Sequence, residues 1–338
     1  MVIILKNNLD AQKRKEFRRF LADKNVEAIK VEPANNEIMF VVTGKFGHLT
    51  MDEVKRHPAV KEIRQTDRPY KLSSKSFQQK NTVIKIGNDI KIGGKEIIIM
   101  AGPCSVETKL QIHKMAAFVK KSGAHILRGG AFKPRTAPYD FQGLGKIGLH
   151  FLRQAADSVG LPVITEVLDI RDIEMVEKYT DIFQVGTRNM QNYPLLKELG
   201  KARKPVLLKR GMWATYKELL LASEYILVGG NHQVILCERG IRTHVQETRF
   251  TLDLNAVAYL KHETHLPVIV DPSHGTGRAN LVRAMSRAAV AAGADGLLLE
   301  VHFDPRKSVS DADQAISVEE LDKLIKEVKK VAAAIGRK

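Results

Sequence analysis

The chain has 338 residues, of which 44% are hydrophobic and 27% are charged, and this composition excludes a disordered, collagen-like or membrane-spanning protein. Two cysteines cannot build a disulfide framework, and the four-residue apolar run at the N-terminus is too short for a signal peptide. We therefore expect a cytoplasmic protein that does not span a membrane. The net charge of +16 leaves nucleic acids, acidic membranes and phosphorylated metabolites open as ligands.

The first 66 residues predict a small α/β domain. Phe17, Phe20 and Leu21 have helical spacing within residues 10–23, and Thr50 with Glu53 forms a capping box at the start of a second helix. A turn at 33–36 separates two of the predicted strands. The four strands are expected at 2–6, 26–31, 38–43 and 60–64. The order β-α-β-β-α-β is that of a ferredoxin-like domain.

A barrel is predicted for the rest of the chain. Residues 67–82 are polar and aperiodic and are interpreted as a linker, and residues 83–86 and 90–92 flank a hairpin turn. Eight short apolar runs then alternate with amphipathic stretches, at 97–101, 126–127, 163–164, 182–185, 206–208, 234–236, 268–270 and 297–299. Eight βα repeats predict a (β/α)8 TIM barrel over residues 83–338, whereas a doubly wound sheet usually has fewer strands.

Cations follow several of the predicted strands, at the barrel end where TIM-barrel chemistry takes place. They are Arg128, Arg188, Lys209 and Arg239, with Lys133 and Arg135 close behind the second strand. Any one of them could point outward or pair with a carboxylate, but together they predict a pocket for two phosphate or carboxylate groups. The first 66 residues carry a net charge of only +4 and no compact basic run, which argues against nucleic acid.

A metal site is predicted from a second set of strand-end residues. Cys104 follows the first barrel strand, His274 the seventh and Glu300 the eighth, and Asp311 lies in the next loop. Barrel closure brings these positions together, and one thiolate, one imidazole and two carboxylates suit Mn, Fe, Co or Zn. Taken singly, Cys104 could be a buried apolar residue and Asp311 a helix cap. Cys237 lies within an apolar run and is expected in the core.

Lys209 leaves a further interpretation open. A lysine at the end of a barrel strand could form a Schiff base, which would make the protein a metal-free aldolase. A lysine among several arginines more simply binds an anion. Walker A, Gly-x-Ser-x-Gly and Cys-x-x-Cys motifs are absent from the sequence.

Several motifs, taken in order, resemble those of 3-deoxy-D-arabino-heptulosonate 7-phosphate (DAHP) synthase. They are Ala-Gly-Pro-Cys-Ser-Val-Glu at 101–107, Leu-Arg-Gly-Gly-Ala-Phe-Lys-Pro-Arg-Thr at 127–136, Gly-Leu-Gly at 143–145, Leu-Lys-Arg-Gly at 208–211, Cys-Glu-Arg-Gly-Ile-Arg at 237–242, Asp-Pro-Ser-His at 271–274 and Glu-Val-His at 300–302. The resemblance covers the whole chain, because one branch of the family carries an N-terminal ferredoxin-like domain.

The resemblance implies a condensation of phosphoenolpyruvate with erythrose 4-phosphate that releases phosphate and opens the shikimate pathway. It implies one divalent metal on Cys104, His274, Glu300 and Asp311. It implies that Arg188, Arg239 and the Thr187 backbone bind the phosphoenolpyruvate phosphate, that Arg128, Lys133 and Lys209 bind its carboxylate, and that Arg135 and Thr136 bind the erythrose 4-phosphate phosphate. Glu166 would position a water, and Lys133, Glu166 and His274 are the expected catalytic residues.

Two alternatives accompany this interpretation. The sister family, 3-deoxy-D-manno-octulosonate 8-phosphate synthase, uses arabinose 5-phosphate and typically carries Ala-Asn-Arg-Ser where this chain reads Lys133-Pro134-Arg135-Thr136. The other alternative is a barrel protein that binds ligands but has lost catalysis. The resemblance also implies feedback inhibition by tyrosine or phenylalanine through residues 1–66, and a homotetramer.

Overall fold

A computed structural model of the chain describes residues 1–32, 37–43 and 47–338. The N-terminal part has the predicted order of elements, and the predicted turn at 33–36 lies outside the described residues. Its elements are β1 Val2–Leu5, α1 Ala11–Asp23, β2 Glu27–Val31, β3 Met39–Thr43, α2 Met51–Arg56 and β4 Val60–Arg64. The strands form an antiparallel sheet in the order β2-β3-β1-β4.

Both N-terminal helices begin where the sequence supplies a cap. The Asp10 carboxylate accepts a hydrogen bond from the backbone N–H of Lys13 at 2.7 Å, and Thr50 and Glu53 form the predicted capping box. Because side chains alternate across a strand, the sheet has two apolar faces. Ile3 packs with Phe17 of α1, whereas Ile4 belongs to the core of the barrel, so the sheet lies between its own helices and the barrel.

The predicted eight-stranded parallel barrel is confirmed, and it is closed. A hairpin of β5 Ile84–Ile86 and β6 Ile90–Ile92 precedes it and packs its isoleucines against the inward-facing residues of the barrel. The barrel strands are β7 Ile98–Gly102, β8 Ile126–Arg128, β9 Val163–Glu166, β10 Ile182–Val185, β11 Val206–Lys209, β12 Val234–Glu238, β13 Val268–Val270 and β14 Gly296–Glu300. Cys237 is buried in this interior, as predicted.

Nine helices accompany the barrel strands in the described part of the chain. They are α3 Lys109–Ser122, α4 Lys146–Asp157, α5 Ile173–Glu177, α6 Tyr193–Leu199, α7 Tyr216–Val228, α8 Leu254–Glu263, α9 Pro272–Thr276, α10 Ala279–Ala291 and α11 Val318–Ala334. Their apolar faces and the outward faces of the strands form one large core. Among the described residues, we find no helix with the length and apolar character needed to cross a membrane.

The segment 67–82 connects the N-terminal sheet to the barrel and is packed along the barrel surface. Tyr70, Leu72 and Phe77 are buried in the barrel core cluster. The Glu224 carboxylate of α7 accepts hydrogen bonds from the backbone N–H groups of Leu72 and Ser73 at 3.1 and 2.7 Å. The segment is therefore attached to the barrel by both apolar and polar contacts.

Candidate active site

The carboxyl ends of the barrel strands surround a cavity of about 270 Å³. Six strands extend one or two residues beyond the predicted apolar runs. One of them, β7, ends on Gly102, and the other five end on a charged residue: Arg128, Glu166, Lys209, Glu238 and Glu300. The backbone of these residues is paired with neighbouring strands, so their side chains start from fixed positions.

The structure brings most of the predicted site residues into the wall of this cavity. Those that line it are Lys133, Arg135, Thr136, Glu166, Thr187, Arg188, Lys209, Arg239, His274 and Asp311. Cys104, Arg128 and Glu300 are buried behind the wall. The Cys104 Sγ lies 2.9 Å from the Lys133 Nζ, and the Glu300 Oε1 lies 3.5 Å from the His274 Nε2. Arg128 reaches the wall through Glu300, with its Nη1 2.6 Å from the same oxygen. The predicted set is therefore one spatial cluster.

Two of the predicted cations have buried carboxylate partners. Arg128 pairs with Glu300, and the Lys209 Nζ lies 2.6 Å from the Asp271 Oδ2. The same Asp271 oxygen lies 2.7 Å from the His274 Nδ1. Burial by itself raises the pKa of Asp271, but His274 and Lys209 outweigh it and hold that pKa well below its usual range. Asp271 therefore orients both the lysine and the imidazole.

Arg239 differs from these cations because its guanidinium is held mainly by an aromatic ring. The side chain is 4% exposed, its guanidinium carbon lies 3.9 Å from the centre of the Phe250 ring, and its Nη1 donates a long hydrogen bond of 3.4 Å to the Gly240 carbonyl. Burial lowers the pKa of Arg239 to about 10. Asp271 and Glu238 favour the charged form of Arg239, but no carboxylate among the described residues lies within ion-pair distance of it. A buried cation without such a partner is suited to bind an anionic group of a ligand.

The predicted metal ligands converge. The Cys104 Sγ, a Glu300 carboxylate oxygen and an Asp311 carboxylate oxygen lie within 4.8 Å of one another, and the His274 Nε2 lies 3.5 Å from the Glu300 Oε1. Burial, followed by Glu300, raises the pKa of the Cys104 thiol to about 11. Burial also opposes ionisation of Glu300, but His274 and Arg128 lower its pKa to about 2. A soft sulfur donor beside imidazole and carboxylate fits a borderline divalent ion.

Glu166 is positioned by its neighbours on β10 and beyond. The Gln184 Nε2 donates a hydrogen bond to the Glu166 Oε2 at 3.1 Å. A Cβ atom placed on Gly186 would lie 1.9 Å from the Glu166 Oε1, so this glycine leaves the space that the carboxylate occupies. At Gly130 the limit is set by the backbone: a Cβ there would lie 2.7 Å from the Cys104 carbonyl oxygen and 2.9 Å from the Lys133 Cδ.

Sequence reasoning assigned no role to several residues of the site, among them Asp271, Arg249 and Phe250. Asp271 follows β13 directly, and a polar residue at that position of a TIM barrel indicates a place in the active site. Arg249 and Phe250 lie in the long loop between β12 and α8, where no local pattern distinguishes them. Arg249 lines the cavity, and its Nη1 lies 3.0 Å from the Asp311 Oδ1.

A closed parallel barrel whose strand ends carry clustered cations and carboxylates defines a TIM-barrel enzyme for anionic ligands. The DAHP synthetase I family model matches residues 79–336, and the chain belongs to this family. The predicted enzyme class, a 3-deoxy-7-phosphoheptulonate synthase, is confirmed by this match and by a relative that aligns over the full chain.

That relative is the phospho-2-dehydro-3-deoxyheptonate aldolase of Thermotoga maritima, 43% identical over 338 residues, which are 100% of this chain and 99% of the relative. A crystal structure of this Thermotoga enzyme, described as DAHP synthase, matches with a TM-score of 0.79 and 42% identity over 100% of this chain and 98% of that chain. The 2-dehydro-3-deoxyphosphooctonate aldolase of Geobacter sulfurreducens is 28% identical over 271 residues, 75% of this chain and 98% of the relative.

Proposed function

We propose that this chain condenses phosphoenolpyruvate with erythrose 4-phosphate to form DAHP and phosphate, the first step of the shikimate pathway. The observation that carries the proposal is the convergence of five predicted cations in one cavity beside a thiol, an imidazole and two carboxylates. Two phosphorylated substrates repel each other, and cations that cancel this repulsion also orient them for a bimolecular step.

Each cation is assigned to one part of a substrate. Arg188 and Arg239, with the Thr187 backbone, would bind the phosphoenolpyruvate phosphate; Arg128, Lys133 and Lys209 its carboxylate; and Arg135 with Thr136 the phosphate of the aldose. The hydrogen bond from the Arg188 Nη2 to the Thr136 Oγ1, at 3.2 Å, supports neighbouring subsites for the two phosphates. Glu166 would hold a water at the substrate, and Asp271 would fix the ring of His274.

One divalent ion, Mn²⁺, Fe²⁺, Co²⁺ or Zn²⁺, would be held by Cys104, His274, Glu300 and Asp311. When bound, such an ion supplies Lewis-acid polarisation of the aldehyde oxygen. The chain contributes the donors, the hydrogen bond that orients His274, and the nearby Lys133, whose Nζ lies 2.9 Å from the Cys104 Sγ.

Replacing the thiol tests the metal assignment. We expect Cys104→Ala to fold and to lose turnover about a hundredfold or more, because Lewis-acid stabilisation is worth several kcal/mol. Consumption of phosphoenolpyruvate with and without a chelator is the measurement. The matched control is Cys237→Ala, since this second buried cysteine packs in the barrel interior and does not line the cavity. Full activity of Cys104→Ala in the presence of chelator would contradict the assignment.

The choice of aldose phosphate is tested in the same assay. Lys133, Pro134, Arg135 and Thr136 all line the cavity, so the segment that differs from the sister family faces the ligand space. We expect faster consumption of phosphoenolpyruvate with erythrose 4-phosphate than with arabinose 5-phosphate. The opposite order would identify the 3-deoxy-D-manno-octulosonate 8-phosphate synthase activity, and no consumption with either sugar would support a binding protein.

For residues 1–66 we propose a ferredoxin-like regulatory domain that responds to tyrosine or phenylalanine. The antiparallel strand order and the two helices on one sheet face support this assignment. Allosteric inhibition requires a second site and two states that the effector binds unequally. A chain beginning at Asp67, which keeps the packed segment 67–82, should remain active and lose inhibition. Unchanged inhibition of the shortened chain would exclude residues 1–66 as the effector domain.

A homotetramer is the proposed assembly. Large apolar side chains are exposed on the loops around the cavity, among them Tyr139, 96% exposed, and Trp213, 67% exposed. Exposed apolar side chains grouped on one end of a molecule are typical of a protein interface. Sedimentation equilibrium of the full chain should give four times the mass of 37.8 kDa.

A further inference from the structure

A buried amide lies between the two carboxylates that face the proposed metal position. The Gln314 Nε2 donates a hydrogen bond to the Glu300 Oε2 at 2.7 Å, and the Gln314 Oε1 accepts one from the Arg249 Nη1 at 2.9 Å. The same Arg249 nitrogen donates to the Asp311 Oδ1 at 3.0 Å. Gln314 is 2% exposed, so water does not replace these contacts easily.

We propose that Gln314 is a positioning residue for the divalent metal: it fixes Glu300 directly and Asp311 through Arg249. This inference rests on the proposed metal-dependent function and extends it to a residue outside the ligand set. Side chains that hydrogen-bond metal ligands commonly set metal affinity, because they hold each ligand in the orientation that the ion requires.

The geometry of Glu300 shows what the amide contributes. Its Oε1 accepts a hydrogen bond from the Arg128 Nη1 at 2.6 Å, and its Oε2 accepts one from the Gln314 Nε2. With one donor on each oxygen, the carboxylate plane cannot rotate freely, and the remaining lone pairs stay available to a cation. Glutamine suits this position because its side-chain amide carries both a donor for Glu300 and an acceptor for Arg249. A methionine of similar length supplies neither strong group.

The backbone connects Gln314 to Asp311 as well. Both residues belong to one short turn, where the Gln314 backbone N–H donates to the Asp311 carbonyl at 3.2 Å. Asp311 has a φ of +51°, a left-handed conformation that costs free energy for a residue other than glycine. The amide contact from Gln314 to Glu300 ties this turn to the end of β14. It therefore helps to keep Asp311 in a conformation that an isolated loop would leave.

The test measures metal binding directly. We expect metal-depleted Gln314→Met to bind Mn²⁺ at least about tenfold more weakly than the unaltered chain, as followed by the electron paramagnetic resonance signal of free Mn²⁺. Gln314→Asn keeps an amide but is one methylene shorter, so it should lose affinity in the same direction. The control is Asp313→Asn in the same turn, where the side chain is exposed and Mn²⁺ affinity should not change.

A spectroscopic measurement separates positioning from a general loss of stability. With Co²⁺ as the probe, the thiolate-to-metal absorption of Gln314→Met should shift, while its circular dichroism and melting temperature stay near those of Asp313→Asn. Saturating Mn²⁺ should restore most of its turnover. If Gln314→Met and Gln314→Asn bind Mn²⁺ as tightly as the unaltered chain, the inference is wrong. If the unaltered chain itself binds no divalent metal, the proposed metal dependence fails first.

Discussion

Phe250 lies between two arginines of the cavity. The Arg239 guanidinium carbon is 3.9 Å from the centre of its ring and that of Arg249 is 5.8 Å away. An aromatic face attracts a cation without cancelling its charge, whereas a carboxylate would compete with an incoming phosphate. The ring therefore holds Arg239 in place while leaving it able to bind an anion.

Replacing this ring should weaken substrate binding. We expect Phe250→Leu to raise the KM for phosphoenolpyruvate about fivefold to thirtyfold, since a desolvated cation–π contact is worth about 1–2 kcal/mol. Steady-state kinetics at saturating erythrose 4-phosphate provide the measurement. Phe118→Leu on α3, remote from the cavity lining, serves as the control and should leave KM unchanged. A normal KM for Phe250→Leu would show that the ring does not support Arg239.

At the scale of elements, the strand ends explain why the sequence predicted strand positions better than strand lengths. An apolar run stops at the first polar residue, but backbone pairing continues through it: Lys209 is in register with Cys237, and Glu300 with Gly102. Four of the predicted site residues, Arg128, Glu166, Lys209 and Glu300, are therefore the last residues of strands, and the others lie in the segments that follow the strands. The sequence predicted the cations and the proposed metal ligands at one end of the barrel, and their side chains lie close together there.

The segment 67–82 shows what the sequence could not predict. Its polar contacts include carboxylates on α7 and α8 that are far away in the chain. The Glu263 carboxylate accepts from the Tyr70 hydroxyl at 2.7 Å, and Glu224 accepts from Ser73. A polar, aperiodic stretch carries no sign of such partners, because the pairing depends on how the helices are placed around the barrel.

Removing one of these carboxylates should loosen the segment. Glu224→Gln puts an amide N–H against backbone N–H donors, and we expect it to lower the free energy of unfolding by about 1–2 kcal/mol. Urea unfolding and limited proteolysis within residues 67–82 measure the effect. The control is Glu198→Gln on α6, which alters an exposed ion pair with Lys201 and should change the free energy of unfolding by less than about 0.5 kcal/mol. Equal stability of the two variants would contradict the assigned role of Glu224.

The stability of the whole molecule is expected to depend on pH through the histidines where the segment 67–82 contacts the barrel. Burial lowers the pKa of His265 to about 4, and it does the same for His232. The His265 Nε2 donates to the Leu72 carbonyl at 2.7 Å, and its Nδ1 lies 2.7 Å from the Thr82 Oγ1. The neutral imidazole is therefore the form that the folded chain holds.

The sign of the pH effect follows from these values. The unfolded chain takes up a proton near pH 6.5 and the folded chain near pH 4, so the stability from neutral His265 is complete above about 6.5 and is lost as the pH falls toward 4. The expected loss is about 2–3 kcal/mol. Replacing His265 with glutamine should flatten the decline of the melting temperature between pH 7 and 4.5. The control His244→Gln, at an exposed position, should keep the full decline.

The cavity is lined by six cationic side chains against three carboxylates, in a chain whose net charge is +16. The electrostatic potential of such a concave surface extends about 10 Å into a 0.1 M salt solution. It therefore raises the local concentration of small anions before they contact the cavity. Diffusional capture of a phosphorylated molecule should consequently slow as ionic strength rises, even where the equilibrium geometry of the bound state is unchanged. Inorganic phosphate is attracted by the same field, so we expect the product of the proposed reaction to compete with the substrates for the cavity.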